Sequence, residues 1–91
     1  MVRVKVKLFS LYRDLFKSSE LELEVDGKEI KVRDVIKTLT SLNTRFEQVL
    51  ERFPPVILVR GLPVKEEDKV KDGDEIVFLP PASGGLIHKL S

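Results

Sequence analysis

The stretch that decides the fold is DGDEIVFLPPASGG, which runs from Asp72 to Gly85. Its Asp-Gly pair predicts a tight turn, and the alternating apolar residues of 75–79 predict a strand. The strand has to end at Pro80-Pro81, because proline has no backbone N–H to donate to a neighbouring strand. The stretch therefore predicts the last strand of a sheet, followed at once by a chain that leaves the sheet.

Residues 80–91 show no hydrophobic periodicity, which predicts a flexible C-terminal tail. The tail carries Gly84 and Gly85 and then a six-residue extension, Leu86 to Ser91. We expect the folded domain to span residues 1–79.

Two strands are predicted near the start of the chain. Residues 2–8 alternate valine or leucine with arginine or lysine, which places Phe9 on the outer face of the sheet, and residues 21–25 alternate leucine or valine with glutamate. Because one outer row is basic and the other acidic, we expect the two strands to pair.

The middle of the chain predicts helices. Val32, Val35, Ile36, Leu39 and Leu42 have the spacing of one apolar helix face. Thr44 and Glu47 fit a capping box for a second short helix that ends before Pro54. Its predicted apolar face consists of Phe46, Val49, Leu50 and Phe53.

The β-branched run 56–60 predicts a strand, 62–64 a short return strand, and Val70 a core position. The resulting order predicts an α+β domain, a mixed sheet covered on one face by helices.

Composition excludes several function classes. The chain has 91 residues, a net charge of +1 and no cysteine. One small domain leaves no room for a deep pocket, the balanced charge argues against nucleic acid or membrane binding, and thiol chemistry is excluded. No secretory or membrane segment is predicted, so we expect a cytoplasmic location. The scarcity of Asn, Gln and Met suggests a thermophilic host.

No self-contained active site is predicted. His88 is the single histidine and has no partner for metal binding, and Asp72 and Asp74 are interpreted as turn residues. We therefore expect no metal and no cofactor bound by this chain.

The segment from Asp72 to Gly85 strongly resembles the C-terminal signature of the MoaD branch of the MoaD/ThiS sulfur carriers, which have the β-grasp, ubiquitin-like fold. The opening VKVKLFSLYRDLF, Val4 to Phe16, resembles the family's first strand and the turn after it. The resemblance implies a β-grasp fold whose first and last strands are central and parallel.

The resemblance also implies a function. A partner similar to ubiquitin-activating enzymes uses ATP to adenylate the terminal glycine carboxylate, and a sulfur donor converts it to a thiocarboxylate. Gly85, preceded by Gly84, would be the reacting residue, and the molybdopterin synthase large subunit would receive the sulfur. The alternatives are a ubiquitin-related modifier that is joined through Gly85 to target lysines, and an interaction domain that is never activated.

One departure from the family pattern concerns the end of the chain. Family members in molybdopterin synthesis normally end at the second glycine, whereas six residues follow Gly85 here. We expect a peptidase, by resemblance one of the JAMM type, to remove them. The other interpretations are a cloning remnant and a copy that carries no sulfur.

A docking surface for these partners is predicted close to the tail. The partner-binding candidates are Phe9, Arg13, Val59, Arg60, Leu79, Pro80 and Pro81. Strand parity places Phe9 and Leu79 outward, while the apolar run 56–59 leaves open whether Leu58 or Val59 faces outward. The alternative is that these are scattered surface hydrophobics.

Overall fold

The structure, a computed structural model, describes residues 1–81. The chain order of its elements is β1 (Val2–Leu8), α1 (Leu11–Phe16), β2 (Glu20–Val25), β3 (Ile30–Lys31), α2 (Val32–Leu42), α3 (Phe46–Arg52), β4 (Val56–Val59), β5 (Leu62–Pro63), β6 (Lys69–Val70) and β7 (Glu75–Leu79). Five strands form one sheet in the order β2-β1-β7-β4-β5, and β3 pairs with β6 separately. This arrangement confirms the predicted mixed sheet with helices.

The centre of the sheet is the parallel pair of β1 and β7, as the resemblance implied. The valines and leucine of β1 are buried, which confirms the alternation. Its basic residues face the glutamates of the antiparallel neighbour β2, with Arg3 3.5 Å from Glu24 and Lys5 3.8 Å from Glu20.

Helix α2 has the predicted bounds and packs its apolar face against the sheet, with Val35 and Leu39 fully buried. The carboxylate of Asp34 accepts a hydrogen bond of 2.8 Å from the Lys31 N–H, which caps the helix start. Leu42 was wrongly predicted on the buried face: it is the last residue of the helix and is 61% exposed.

Helix α3 exists as predicted, but its start differs. The Arg45 N–H bonds the side-chain oxygen of Asn43 at 3.0 Å, and no Thr44 cap forms. Because the chain turns at Pro54, Phe53 falls off the buried face and is 48% exposed.

Helix α1 is an element that the sequence analysis interpreted as a turn. Its six residues are too few for a visible period, and one of them, Tyr12, is fully buried. The helix follows a turn in which the Tyr12 N–H bonds the Phe9 carbonyl at 3.2 Å, with Ser10 at φ 55° and ψ −127°. These angles are those of a type II′ turn, whose first central position is normally glycine.

Val70 is buried as predicted, and it pairs with Ile30 in the small sheet. No helix within residues 1–81 is long and apolar enough to cross a membrane. The predicted flexible tail falls largely on residues 82–91, which lie outside the described residues, so the domain boundary stays a prediction.

Candidate functional site

The chain leaves the sheet from its middle. β7 lies between β1 and β4, and it ends at Leu79, which is paired with Val56. Just beyond β1, the Phe9 N–H donates a hydrogen bond of 3.3 Å to the Phe78 carbonyl. Pro80 and Pro81 follow, both half-buried, and their missing N–H groups prevent further pairing. Gly84 and Gly85 lie outside the described residues.

The outer face of the sheet carries an apolar strip beside this exit, formed by Val56, Leu58, Val77 and Leu79. Cross-strand partners point to the same face, and the register pairs Leu58 with Val77 and Val56 with Leu79. The opposite, helix-covered face holds their buried strand neighbours. The outward orientation of Leu79 is therefore confirmed.

Val59 is not on this surface. Its side chain is 2% exposed and faces the core, while Leu58 takes the outward position. The prediction that Val59 belongs to the exposed patch was wrong, because a run of four apolar residues carries no alternation to show which of them face the helices.

Arg60 was also wrongly placed near the tail. β4 runs antiparallel to β7, so its end at Val59 lies beside Ile76, towards the start of β7 rather than beside Leu79. The Arg60 guanidinium bonds the carboxylate of Asp74, which precedes β7. Arg60 thus lies at the end of the sheet opposite to the exit.

Phe9 and Arg13 are brought together as predicted. Phe9 is 44% exposed, and it lines a shallow depression with the exposed Arg13. Their neighbours in that depression are Lys7, Leu8, Ser19 and Glu20. Of the two arginines among the partner-binding candidates, Arg13 therefore lies beside Phe9 and Arg60 does not.

Tyr12 links the two segments that flank the exit. Its hydroxyl donates a hydrogen bond of 2.6 Å to the carbonyl of Phe53, and its ring lies edge-on to Phe46 and Phe78 with centroids 6.3 and 6.4 Å away. Burial raises the pKa of Tyr12 to about 12, because desolvation disfavours the phenolate. At neutral pH the group is therefore a neutral hydrogen-bond donor that holds α1 against the end of α3.

Sequence reasoning missed two exposed side chains next to the exit. Val56 is 42% exposed and Phe53 48%, although Phe53 was predicted to lie on a helical core face. The parity of β4 would have identified Val56 if one polar residue had interrupted the run. No sequence signal identified Phe53.

Residues 1–81 contain no group of three or more His, Asp or Glu side chains that could hold a metal ion. His88 lies outside the described residues. What the described residues present is an apolar, accessible surface around the base of a C-terminal tail.

Comparison with known proteins identifies the class. Residues 6–85 match the model of the ThiS family. The chain therefore belongs to this family, the ThiS/MoaD family of ubiquitin-like sulfur carriers that the C-terminal motif predicted.

Solved structures agree with this assignment. A Pyrococcus furiosus protein assigned as molybdopterin converting factor subunit 1 is 31% identical, with a TM-score of 0.78 over 90% of this chain and 100% of that protein. Small archaeal modifier protein 1 of Methanosarcina acetivorans is 33% identical, with a TM-score of 0.75 over 93% of this chain and 98% of that protein. Its namesake from Haloferax volcanii, 19% identical over 90% of this chain and 100% of that protein, shares the fold with a TM-score of 0.74.

The orientation of β4 can be tested with one pair of matched variants. We expect Val59→Ala to lower the free energy of unfolding by about 2 kcal/mol, because it leaves a cavity, and Val56→Ala by less than about 0.5 kcal/mol. Urea unfolding monitored by circular dichroism measures both. Equal losses of unfolding free energy in the two variants would contradict the assignment of Val59 to the buried face and Val56 to the exposed face.

The raised pKa of Tyr12 predicts a pH dependence. Since the native state keeps the phenol proton longer than the unfolded state, this group's contribution to stability is full below pH 10 and is lost as the pH rises to about 12. We expect Tyr12→Phe to flatten the stability curve in that pH range and to cost about 1 kcal/mol at pH 7 for the lost hydrogen bond. An unchanged alkaline slope in equilibrium unfolding would refute the assignment.

Proposed function

We propose that the chain is a sulfur carrier of the MoaD type, the small subunit of a molybdopterin synthase, which carries sulfur as a thiocarboxylate on Gly85. The observation that carries this proposal is the family match, which extends to residue 85 and stops there. The direction of β7 supports it, because the chain beyond Leu79 leaves the centre of the sheet at an end surrounded by accessible apolar side chains.

The chemistry requires a partner. The Gly85 carboxylate would attack the α-phosphorus of ATP and displace pyrophosphate, and a sulfur donor would then displace AMP from the acyl adenylate. ATP is bound by the activating enzyme and not by this chain. Glycines at positions 84 and 85 suit this role because, without a Cβ, they fit a narrow channel.

The docking surface for the partner combines the outer apolar strip with Phe9, Arg13, Pro80 and Pro81. Contiguous exposed apolar surface is typical of protein interaction sites, and a polar or charged rim is typical of their edges. Phe9 supplies the exposed aromatic group and Arg13 the charge beside it.

A ubiquitin-related modifier is the second candidate. The 33% identity with small archaeal modifier protein 1 of Methanosarcina acetivorans favours it. Both candidates need the same adenylate, and they differ in the nucleophile that displaces AMP, a sulfur donor in one case and a lysine amine of a target in the other.

One experiment separates the two candidates. A chain ending at Gly85 is incubated with ATP and an extract of the source organism. Replacement of one oxygen by sulfur in its intact mass is expected for a carrier, whereas covalent ladders on a denaturing gel are expected for a modifier. The matched control is the chain that retains Leu86 to Ser91, with peptidases inhibited. If the chain ending at Gly85 gives neither product, both candidates are refuted, and a non-activated interaction domain is the remaining interpretation.

We further propose that residues 86–91 are removed before activation, by a partner peptidase of the JAMM type. Adenylation needs a free carboxylate, and the amide between Gly85 and Leu86 offers none. The end of the family match at residue 85 supports the same cleavage position.

The cleavage can be tested by the intact mass of the protein isolated from its native cells. We expect a species that ends at Gly85. A stable population that retains Ser91 and is fully active in sulfur transfer would refute the precursor model.

A further inference from the structure

Exposed apolar side chains near the base of the tail are found after α3 as well as on the outer face of the sheet. The exit collar, as we define it, consists of Phe9, Phe53, Val56 and Leu79. Three of its members are among the six strongly exposed large hydrophobic residues of the described chain, with exposed fractions of 44% for Phe9, 48% for Phe53 and 42% for Val56. The docking surface described above contains the other members of the collar but not Phe53, which follows α3.

We infer that Phe53 is a partner-contacting residue, and that the enzyme which takes Gly85 contacts the whole exit collar, from the sheet face round to the end of α3. This inference rests on the proposed function, since it concerns the partner that activates Gly85.

One hydrogen bond and the chain connectivity place the backbone of Phe53 near the end of the sheet at which β7 ends. Its carbonyl accepts the 2.6 Å hydrogen bond from Tyr12, and the Tyr12 N–H bonds the Phe9 carbonyl. Three residues after Phe53 the chain reaches Val56, which is paired with Leu79. Phe53 is thus linked to Phe9 through Tyr12, and to the Val56–Leu79 pair through the two prolines at positions 54 and 55.

The short distance that the tail can span favours contact between the partner and these residues. Gly85 is four residues beyond Pro81, and four fully extended residues span at most about 14 Å. An activating enzyme encloses the reacting carboxylate and excludes water from it, so its channel has depth. If Gly85 lies inside such a channel, the entrance of the channel lies close to the residues around Pro81.

The apolar character of the collar indicates which kind of partner surface is complementary to it. Two phenylalanines, a valine and a leucine call for an apolar rim, and aromatic anchors at the centre of an interface contribute most of the binding energy. The collar therefore fits a protein partner with a narrow channel whose rim is apolar on the sides that meet the sheet face and the end of α3.

The test is ATP–pyrophosphate exchange by the ubiquitin-activating-like enzyme of the source organism, with the concentration of the chain ending at Gly85 varied. This form retains every described residue. We expect Phe53→Ser to raise the KM for the chain about tenfold, equivalent to about 1.4 kcal/mol, with kcat unchanged. Phe53→Leu, which keeps an apolar group, is expected to restore most of the affinity.

Leu42→Ser is the matched control, because Leu42 is also an exposed apolar residue at a helix end, 61% exposed, but is no part of the collar. Its KM should stay within about twofold of the unsubstituted chain. Equal melting temperatures show that Phe53→Ser preserves the fold, as expected for a change that keeps the Phe53 carbonyl.

A KM for Phe53→Ser within about twofold of the unsubstituted value would overturn the inference, and so would an equal rise in the Leu42 variant. Absence of exchange with the unsubstituted chain is a different result: it would refute the proposed function, and the inference would fall with it.

Discussion

The structure depends on the parallel pairing of β1 with β7, from Lys5 opposite Glu75 to Leu8 opposite Phe78. The inward side chains of this pair are at most 1% exposed from Val4 onward and form the centre of the core. Because parallel strands end at the same edge of a sheet, the end of β1 and the end of β7 coincide. Phe9 therefore lies beside the end of β7, and the first and last strands of the domain together form one end of the sheet.

The aromatic cluster beneath this end keeps it in place. Phe46 lies edge-on to both Phe16 and Phe78, with centroids 5.3 and 5.6 Å away, and the Tyr12 ring lies edge-on to Phe46 and Phe78. Such pairs are favourable beyond the apolar area they bury. The cluster connects α1 and α3 to β7, so the segments on both sides of the exit share one packed support. A partner that docks there meets a preformed surface and loses little free energy in ordering it.

The sequence predicted most where hydrophobic periodicity was strong. Alternation identified β1, β2 and β7 and the facing of Phe9 and Leu79, and the spacing of apolar residues gave both bounds of α2. Prediction from the sequence failed in segments that show no hydrophobic period. In the all-apolar β4 the pattern left open whether Leu58 or Val59 faces outward, and the partner-binding candidate Val59 is buried. The six residues of α1 were too few to show a period. The Arg60 error has another cause: proximity to the tail depends on the antiparallel direction of β4, which composition does not encode.

Under the proposed function, the role of the domain is to select partners and to position the carboxylate of Gly85. A glycine pair gives almost no specificity for one partner, since any enzyme with a narrow channel could admit it. Under the proposed function, selection of the partner therefore falls to the surface around the base of the tail. The prolines at 80 and 81 strengthen this link, because their fixed φ angles restrict the directions in which the following residues can leave the collar. In the proposed complex, a partner bound to the collar would reduce the volume available to Gly85, and this would raise the effective concentration of its carboxylate in the partner's active site. In this proposal, recognition and reactivity are coupled because Gly85 is only four residues beyond Pro81 in the sequence.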